Sequence, residues 1–227
     1  MNARITQAQR LARLVEVFKA DSGQYAKVKT PEDDEGRKRL LRSLMNIRQP
    51  GDMPAEVLQL QDEYLKGRAK ENGIVTLKDI PLREEGLSLW QGDITRLAVD
   101  AIVNAANSQM LGCFVPLHAC IDNCIHTFAG IQLRNECHRQ MQELQQRYGE
   151  DYEQPTAVPM LTDGYNLPAK KVIHIVGPIV SGMLTSELEK ALADCYTNSL
   201  TMCMENGLRS VAFCCISTGV FPFPQAR

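Results

Sequence analysis

The sequence predicts an α/β fold, a mixed sheet flanked by helices, preceded by an all-helical segment. Two observations carry that expectation. Up to about residue 72 the apolar residues recur at the period of an amphipathic helix. From Ile74 onward, short apolar or alternating runs interleave with long helical patterns, which places helices over a sheet. A helical extension over 1–72 and an α/β domain over 73–227 are therefore expected.

In the extension, Ile5, Ala8, Leu11, Leu14, Val15 and Phe18 share one helical face. Thr30-Pro31-Glu32-Asp33 reads as a second helix start, with Thr30 as the cap, and Leu40, Leu41, Leu44 and Ile47 form its apolar side. A third helix is expected from near Pro54 to Asn72-Gly73. Arg37-Lys38-Arg39 with Arg42 reads as the solvated face of the second helix. Beyond Ile74, strands are expected at 74–77, 87–90, 101–103, 156–161, 171–176 and 210–216. Helices are expected from near Cys120, from Gly130 to Tyr148, and from Ser186 to Glu205.

The 227 residues suffice for one medium domain and a small one. A hydrophobic share of 44% and a charged share of 23% are those of an ordinary globular protein. The net charge of -2 offers no domain-wide basic field, so no nucleic-acid partner is expected. There is no apolar run of about 18 residues to span a membrane. The first ten residues lack the apolar core of a signal peptide. A cytoplasmic location without a membrane partner is expected. In that reducing setting the eight cysteines read as ligands, reactive thiols or buried small side chains. Cys195, Cys203, Cys214 and Cys215 fall in apolar patterns and read as core.

Four constellations carry chemistry. Gly92-Asp93-Ile94-Thr95 offers a carboxylate that either caps a turn or accepts from an exocyclic amine. Asn104-Ala-Ala-Asn107, at the end of a strand, offers carboxamides suited to ribose hydroxyls, or plain turn residues. Cys113-x4-His118-x-Cys120 combines two thiolates and an imidazole, a set that suits Zn²⁺ with one position left open. The competing reading is buried thiols and a surface histidine. Two residues on, Asp122 either activates water or caps a helix, and His126 shares its face. His126 and His174 read as structural, His138 as solvent-facing. Last, Ser217-Thr-Gly-Val-Phe221 follows a strand, where small residues let backbone N–H groups close on an anion. It lacks the Gly-Lys-Ser/Thr of a phosphate-transfer loop, so it suits a diphosphate that is bound rather than transferred.

Taken in order, Gly92–Thr95, Asn104–Asn107, Ile121-Asp122-Asn-Cys-Ile-His126-Thr-Phe-Ala-Gly130 and Ser217–Phe221 closely resemble the ADP-ribose-binding macrodomain, from about Ile74 to the C-terminus. Common macrodomain hydrolases carry a glycine run after the second asparagine; here Gly112-Cys113-Phe-Val-Pro-Leu-His118-Ala-Cys120 replaces it. With the helical extension, this is similar to a zinc-dependent bacterial branch of protein-ADP-ribose hydrolases. That branch is often encoded beside a sirtuin-type ADP-ribosyltransferase and a lipoylated carrier protein. The resemblance implies that Asp93 takes the adenine amino group and Ile94 the adjacent ring nitrogen through its backbone. It implies that Asn107 takes the distal ribose, with Asn104 shaping the loop, and that Ile121 and Asp122 line the diphosphate and ribose side. Cys113, His118 and Cys120 would bind zinc beside that ribose, so Cys120 also borders the ligand. Ser217, Thr218, Gly219, Val220 and Phe221 would wrap the diphosphate.

Two departures stand out. Pro222 takes a common glycine position and removes an N–H, and the family's last helix and strand are expected after Pro224, where this sequence has only three more residues. The implied activity is hydrolysis of mono-ADP-ribose from a modified protein side chain, an ester of the Asp/Glu type, with Asn107 and Asp122 as catalytic residues. The alternatives are a non-catalytic ADP-ribose reader and an O-acetyl-ADP-ribose deacetylase. A thiol-redox role is disfavoured, because no Cys-x-x-Cys pair sits in a thioredoxin-like setting.

Overall fold

The chain is seen in a computed structural model that describes residues 5–218. Three helices come first: α1 (Gln7–Ser22), α2 (Asp34–Ile47) and α3 (Ala55–Asn72). Thr6 and Gln9 close a capping box on α1. The cap of α2 is Asp33, whose carboxylate accepts from Gly36 N at 2.7 Å, and not Thr30. The Thr30 hydroxyl is committed elsewhere, between Lys19 Nζ and Glu16 Oε1, each at 2.8 Å. Leu14 and Val15 of α1, Leu41 and Leu44 of α2 and Leu65 of α3 form a core that also takes in Ile131, from the segment after residue 73. Thus the extension has its own apolar centre and is docked through it onto the rest.

The remainder is three-layered. Strands β1 (Val75–Thr76) and β4 (Leu97–Ala98) pair in parallel, and β2 (Leu82–Glu84) and β3 (Leu87–Ser88) form a hairpin. The main sheet contains β5 (Ala101–Ala106), β6 (Met160–Asp163), β7 (Lys171–Val176) and β8 (Val211–Ala212), in the order β6-β7-β5-β8. β7, β5 and β8 are parallel, and β6 runs antiparallel at the edge. Helices α4 (Ile121–Ala129) and α5 (Ile131–Tyr148) cover one face, packing on Ile102 and Val172. Helix α6 (Ser186–Glu205) covers the other through Cys195 and Cys203, against Val103, Ile173 and Ile175. Side chains one residue apart on a strand point to opposite faces, so both helical layers are fed by the same strands.

Several expectations change. β5 continues to Ala106, so Asn104 lies inside the strand rather than after it. The strand expected at 156–161 begins at Met160, since Ala157 adopts φ 63 and Thr156 makes only a lone bridge to Val176. The strand expected at 210–216 pairs only at Val211 and Ala212, and Cys215 is exposed rather than core. The strand expected at 74–77 gives way at Leu77 to a 3-10 turn. His138 is half-buried.

The consequence for function is geometric. β5 is followed by α4 and α5 on one face, whereas the chain leaving β7 crosses through α6 on the other face to reach β8. The carboxyl ends of the neighbouring strands β5 and β7 therefore flank a point where successive connections part to opposite faces, with β8 on the other side of β5. Open α/β sheets place ligands at such points.

Candidate active site

Asn107 follows β5 directly and is exposed; its carboxamide donates to Gly112 O at 3.3 Å and accepts from Gln109 N at 3.1 Å. Ser217 follows β8, adopts φ 58, and donates from Oγ to Pro178 O at 2.9 Å. The loops after β7 and β8 are thereby tied together beside the loop after β5. Thr218 is exposed and donates to Cys215 O. Gly219, Val220 and Phe221 lie outside the described residues. Asp93 is exposed and caps a 3-10 turn: Oδ1 accepts from Thr95 N at 2.9 Å and Thr95 Oγ1 at 2.7 Å. The capping role is thus filled by one oxygen, while Oδ2 has no hydrogen bond within the described residues. Ile94 and Ile121 are half-buried beside the core.

The loop from Gly112 to Cys120 brings the three predicted metal ligands together. Cys113 Sγ, a His118 ring nitrogen and Cys120 Sγ all lie within 4.8 Å of one another. Cys113 Sγ stands 3.6 Å from His118 Nδ1. On a tetrahedral zinc with the usual Zn–S and Zn–N lengths, two such ligands are about 3.5 Å apart. The donor set and its spacing fit the ion. Cys120 is also the N-cap of α4, its Sγ accepting from Asn123 N at 3.4 Å. Burial first, and then the neighbouring Cys113 thiol, push the Cys120 thiol up to about 11. A bound dication reverses that balance and deprotonates coordinating thiols.

The loop is clamped from the helical extension. Arg42 of α2 donates from Nη2 to His118 O at 2.8 Å and to Asn123 Oδ1 at 2.9 Å. Asn123 in turn donates to Cys113 O at 3.2 Å and Val115 O at 2.9 Å. Asn46, one turn after Arg42, accepts from Leu117 N at 3.0 Å, where the backbone has φ 59. Arg134 of α5 donates to Leu111 O at 2.8 Å, and to the carbonyls of Met45, Asn46 and Arg48 at the end of α2. Gly112 adopts φ +81, and a Cβ there would stand 2.7 Å from the His126 ring. The expectation that Arg42 belongs to a solvated face is therefore corrected: it is a half-buried strut of the ligand loop.

Beneath the loop runs a buried polar chain. Asn104 donates from Nδ2 to Asp122 Oδ1 at 2.8 Å and to His174 Nδ1 at 3.0 Å. That leaves the His174 proton on Nε2, which faces Thr162 Oγ1 at 3.0 Å. Asp122 is 5% exposed and turned inward, with His126 Nε2 at 3.6 Å. Burial pushes its carboxyl up to about 6, against the Asn104 hydrogen bond and the Arg134 charge. His126 was expected to make a structural hydrogen bond; both its nitrogens are buried without a hydrogen-bond partner among the described residues, beside a ≈ 10 Å³ void with room for about one water. His126, Cys137 and His174 also converge, but both His174 nitrogens are already engaged, so this group is a polar node of the core.

Burial pushes His174 down to about 3, below its unfolded value of 6.5. Between those values the unfolded chain binds the extra proton, so His174's contribution is intact above pH 6.5 and is lost as pH falls toward 3. The slope is about 1.4 kcal/mol per pH unit. Asp122 acts oppositely, its raised value weakening the fold as pH rises from 3.8 to about 6. Replacing His174 with Gln should flatten the acid limb of a urea-unfolding series, and an unchanged limb would contradict the assignment.

Residues 103–227 match the profile of the Macro domain. The chain belongs to the Macro domain family. Along 98% of its length it is 49% identical to a protein-ADP-ribose hydrolase from Treponema medium, covering 85% of that protein. A protein-ADP-ribose hydrolase from Staphylococcus aureus (strain MSSA476) is 42% identical over 86% of this chain and 71% of its own. The ADP-ribose glycohydrolase MACROD1 from Mus musculus is 48% identical over 65% of this chain and 41% of its own. Among solved structures, the Trypanosoma brucei macrodomain in complex with ADP-ribose superposes with a TM-score of 0.56 at 30% identity, covering 81% of this chain and 76% of that one. The Oceanobacillus iheyensis macrodomain with ADP gives 0.50 at 39% identity over 59% and 65%. The macrodomain sheet and its covering helices thus agree with the expected fold. Arg42, Asn46 and Arg134 are the structurally decisive residues that motif reading missed. The available signal was that polar Arg42 and Asn46 fall among the apolar residues Leu41, Leu44, Met45 and Ile47 of α2.

Proposed function

We propose that this macrodomain releases mono-ADP-ribose from a modified protein side chain, with an Asp- or Glu-type ester as the substrate linkage. The observation that carries the reading is the 49% identity, over 98% of the chain, to a protein-ADP-ribose hydrolase. The chain is read as an enzyme of that kind because its relatives at 42–49% identity carry that name. ADP-ribose occupies the crevice at the carboxyl ends of the parallel strands β7, β5 and β8. Asp93 Oδ2 takes the adenine amino group, and Ile94 contributes its backbone. Asn107 receives the distal ribose, next to Ile121 and Cys120 at the start of α4. The loop from Ser217 to Phe221 wraps the diphosphate.

Cys113, His118 and Cys120 would hold Zn²⁺. When bound, that ion supplies Lewis-acid polarisation and lowers the pKa of a water toward about 7. This chain's residues do the positioning. Asn107 fixes the ribose so that a water oxygen meets C1 as the bond to the side-chain oxygen breaks; the carboxylate leaves with its electron pair, and the proton shed by the water passes to it or to solvent. Asp122 keeps Asn104 and the start of α4 in register; its inward carboxylate suits this better than direct water activation. The sirtuin-type transferase and the lipoylated carrier belong to the same proposal, as source and bearer of the modification.

The test compares metal-loaded wild type with Cys120→Ala on a mono-ADP-ribosylated carboxylate protein, recording zinc content and ADP-ribose affinity on the same samples. Turnover lost together with the metal, while ADP-ribose still binds, is the expected result. Binding without turnover in zinc-loaded wild type would sink the hydrolase reading for that linkage.

A further inference from the structure

A groove of ≈ 210 Å³ runs between α2, α3 and α4, with Leu117 of the ligand loop as one wall. Its surface is two-natured. Leu65, Leu117 and Phe128 give it an apolar lining, while Lys38, Arg39, Arg42 and Arg68 bring four cations against the single acid Glu35. That is a local departure for a chain whose net charge is -2.

The donors in this groove are under-used. Tyr64 is only 5% exposed and lines the groove, yet its hydroxyl makes no hydrogen bond among the described residues. Burial pushes Tyr64 up to about 12, so the hydroxyl stays a donor throughout the neutral range. Arg42 Nε is buried without a hydrogen-bond partner among the described residues. The Arg39 guanidinium has no acceptor among the described residues, and Lys38 reaches Glu35 only at 3.7 Å. Arg68 alone is closely paired, to Glu71 at 2.7 Å. Of these donors only Arg42 Nε is shut off from solvent, where an unmet donor is costly; the Tyr64 hydroxyl and the Arg39 guanidinium open to solvent and are free to meet an acceptor brought from outside.

We infer that this groove receives an acidic and partly apolar segment of the ADP-ribosylated protein; the inference rests on the hydrolase reading above. The groove's position argues for that occupant. Leu117 precedes the ligand His118, and Arg42 reaches His118 O from the groove's own wall. A polypeptide whose modified side chain enters the crevice therefore meets the groove next to the ligand loop. The carboxylate of such a segment takes the Tyr64 hydroxyl and the free guanidinium, and its apolar neighbour lies on Leu65 and Phe128. A bare phosphate or a nucleic-acid backbone meets the cations but leaves the apolar lining uncovered.

The probe is a pair of uncleavable, amide-linked mono-ADP-ribosyl peptides, one flanked on both sides by alternating Leu and Glu, the other by Gly and Ser. Fluorescence anisotropy should find the Leu/Glu peptide bound about tenfold more tightly, the equivalent of one charge-assisted hydrogen bond. The gap should narrow at high salt. It should close in the Tyr64→Phe/Arg39→Ser double variant, with affinity for free ADP-ribose unchanged. Equal affinity of the two peptides for wild type, or a gap that survives the double variant, would overturn the inference. The hydrolase reading fails separately, if the ester-linked form of the same peptide is left intact by zinc-loaded wild type.

Discussion

Replacing Arg134 with Met should cost about 3 kcal/mol of folding stability, read as a shift in urea midpoint at constant slope. The side chain is 5% exposed and donates to four carbonyls: Leu111 in the ligand loop, and Met45, Asn46 and Arg48 at the end of α2. No basic residue lies in the last turn of α2 itself, so Arg134 supplies the positive charge that this helix end favours. Its guanidinium also lies over the Phe114 ring, 4.2 Å from the centroid. Methionine keeps the stem packed and removes every donor, leaving buried acceptors without partners. Lys restores charge but not the fork, so Arg134→Lys should recover less than half of the loss. A loss below about 1 kcal/mol for Arg134→Met would mean that the carbonyls find other partners and that the helical extension is held by its apolar contacts alone.

The contrast between legible and illegible parts of this chain follows from the range of the interactions. Helix α6 and strand β7 were readable to their ends, because their signals are local: the stop at Asn206-Gly207, and an apolar run bounded by polar residues. The proposed metal-binding set was also local, Cys113, His118 and Cys120 falling within eight residues. Asn104 reads as the end of a strand because it is polar; it is buried in mid-strand because Asp122 and His174 take its amide protons. Thr30 is a good capping residue by type, yet Asp33 takes the role because Lys19 and Glu16 of α1 have already engaged the Thr30 hydroxyl. The clamp on the ligand loop is the clearest case. Arg42 and Asn46 meet His118 and Leu117 across more than 70 positions of sequence. A charge run on an amphipathic helix looks solvated until that helix is docked against something.

The second large effect is expected at Arg42. Its Nη2 holds His118 O and Asn123 Oδ1 and stands 3.6 Å from Cys124 Sγ, so one guanidinium positions the backbone of a proposed metal ligand and the side chain that fixes Cys113 and Val115. Partners that orient ligands typically change metal affinity by 10- to 100-fold when removed, and about that loss of zinc affinity is expected for Arg42→Met in a chelator competition. Cobalt substitution gives a second readout, since a loosened thiolate–imidazole set alters the absorption bands of the ion. Arg42→Lys can reach one acceptor but not two in a fixed fork, so it should recover part of the affinity. A merely structural arginine would lower the unfolding midpoint and leave both metal readouts alone. Wild-type zinc affinity and an unchanged cobalt spectrum in folded Arg42→Met would therefore remove Arg42 from the positioning of the ligand loop. Asn46, through Leu117 N, would then be the contact by which α2 still holds that loop.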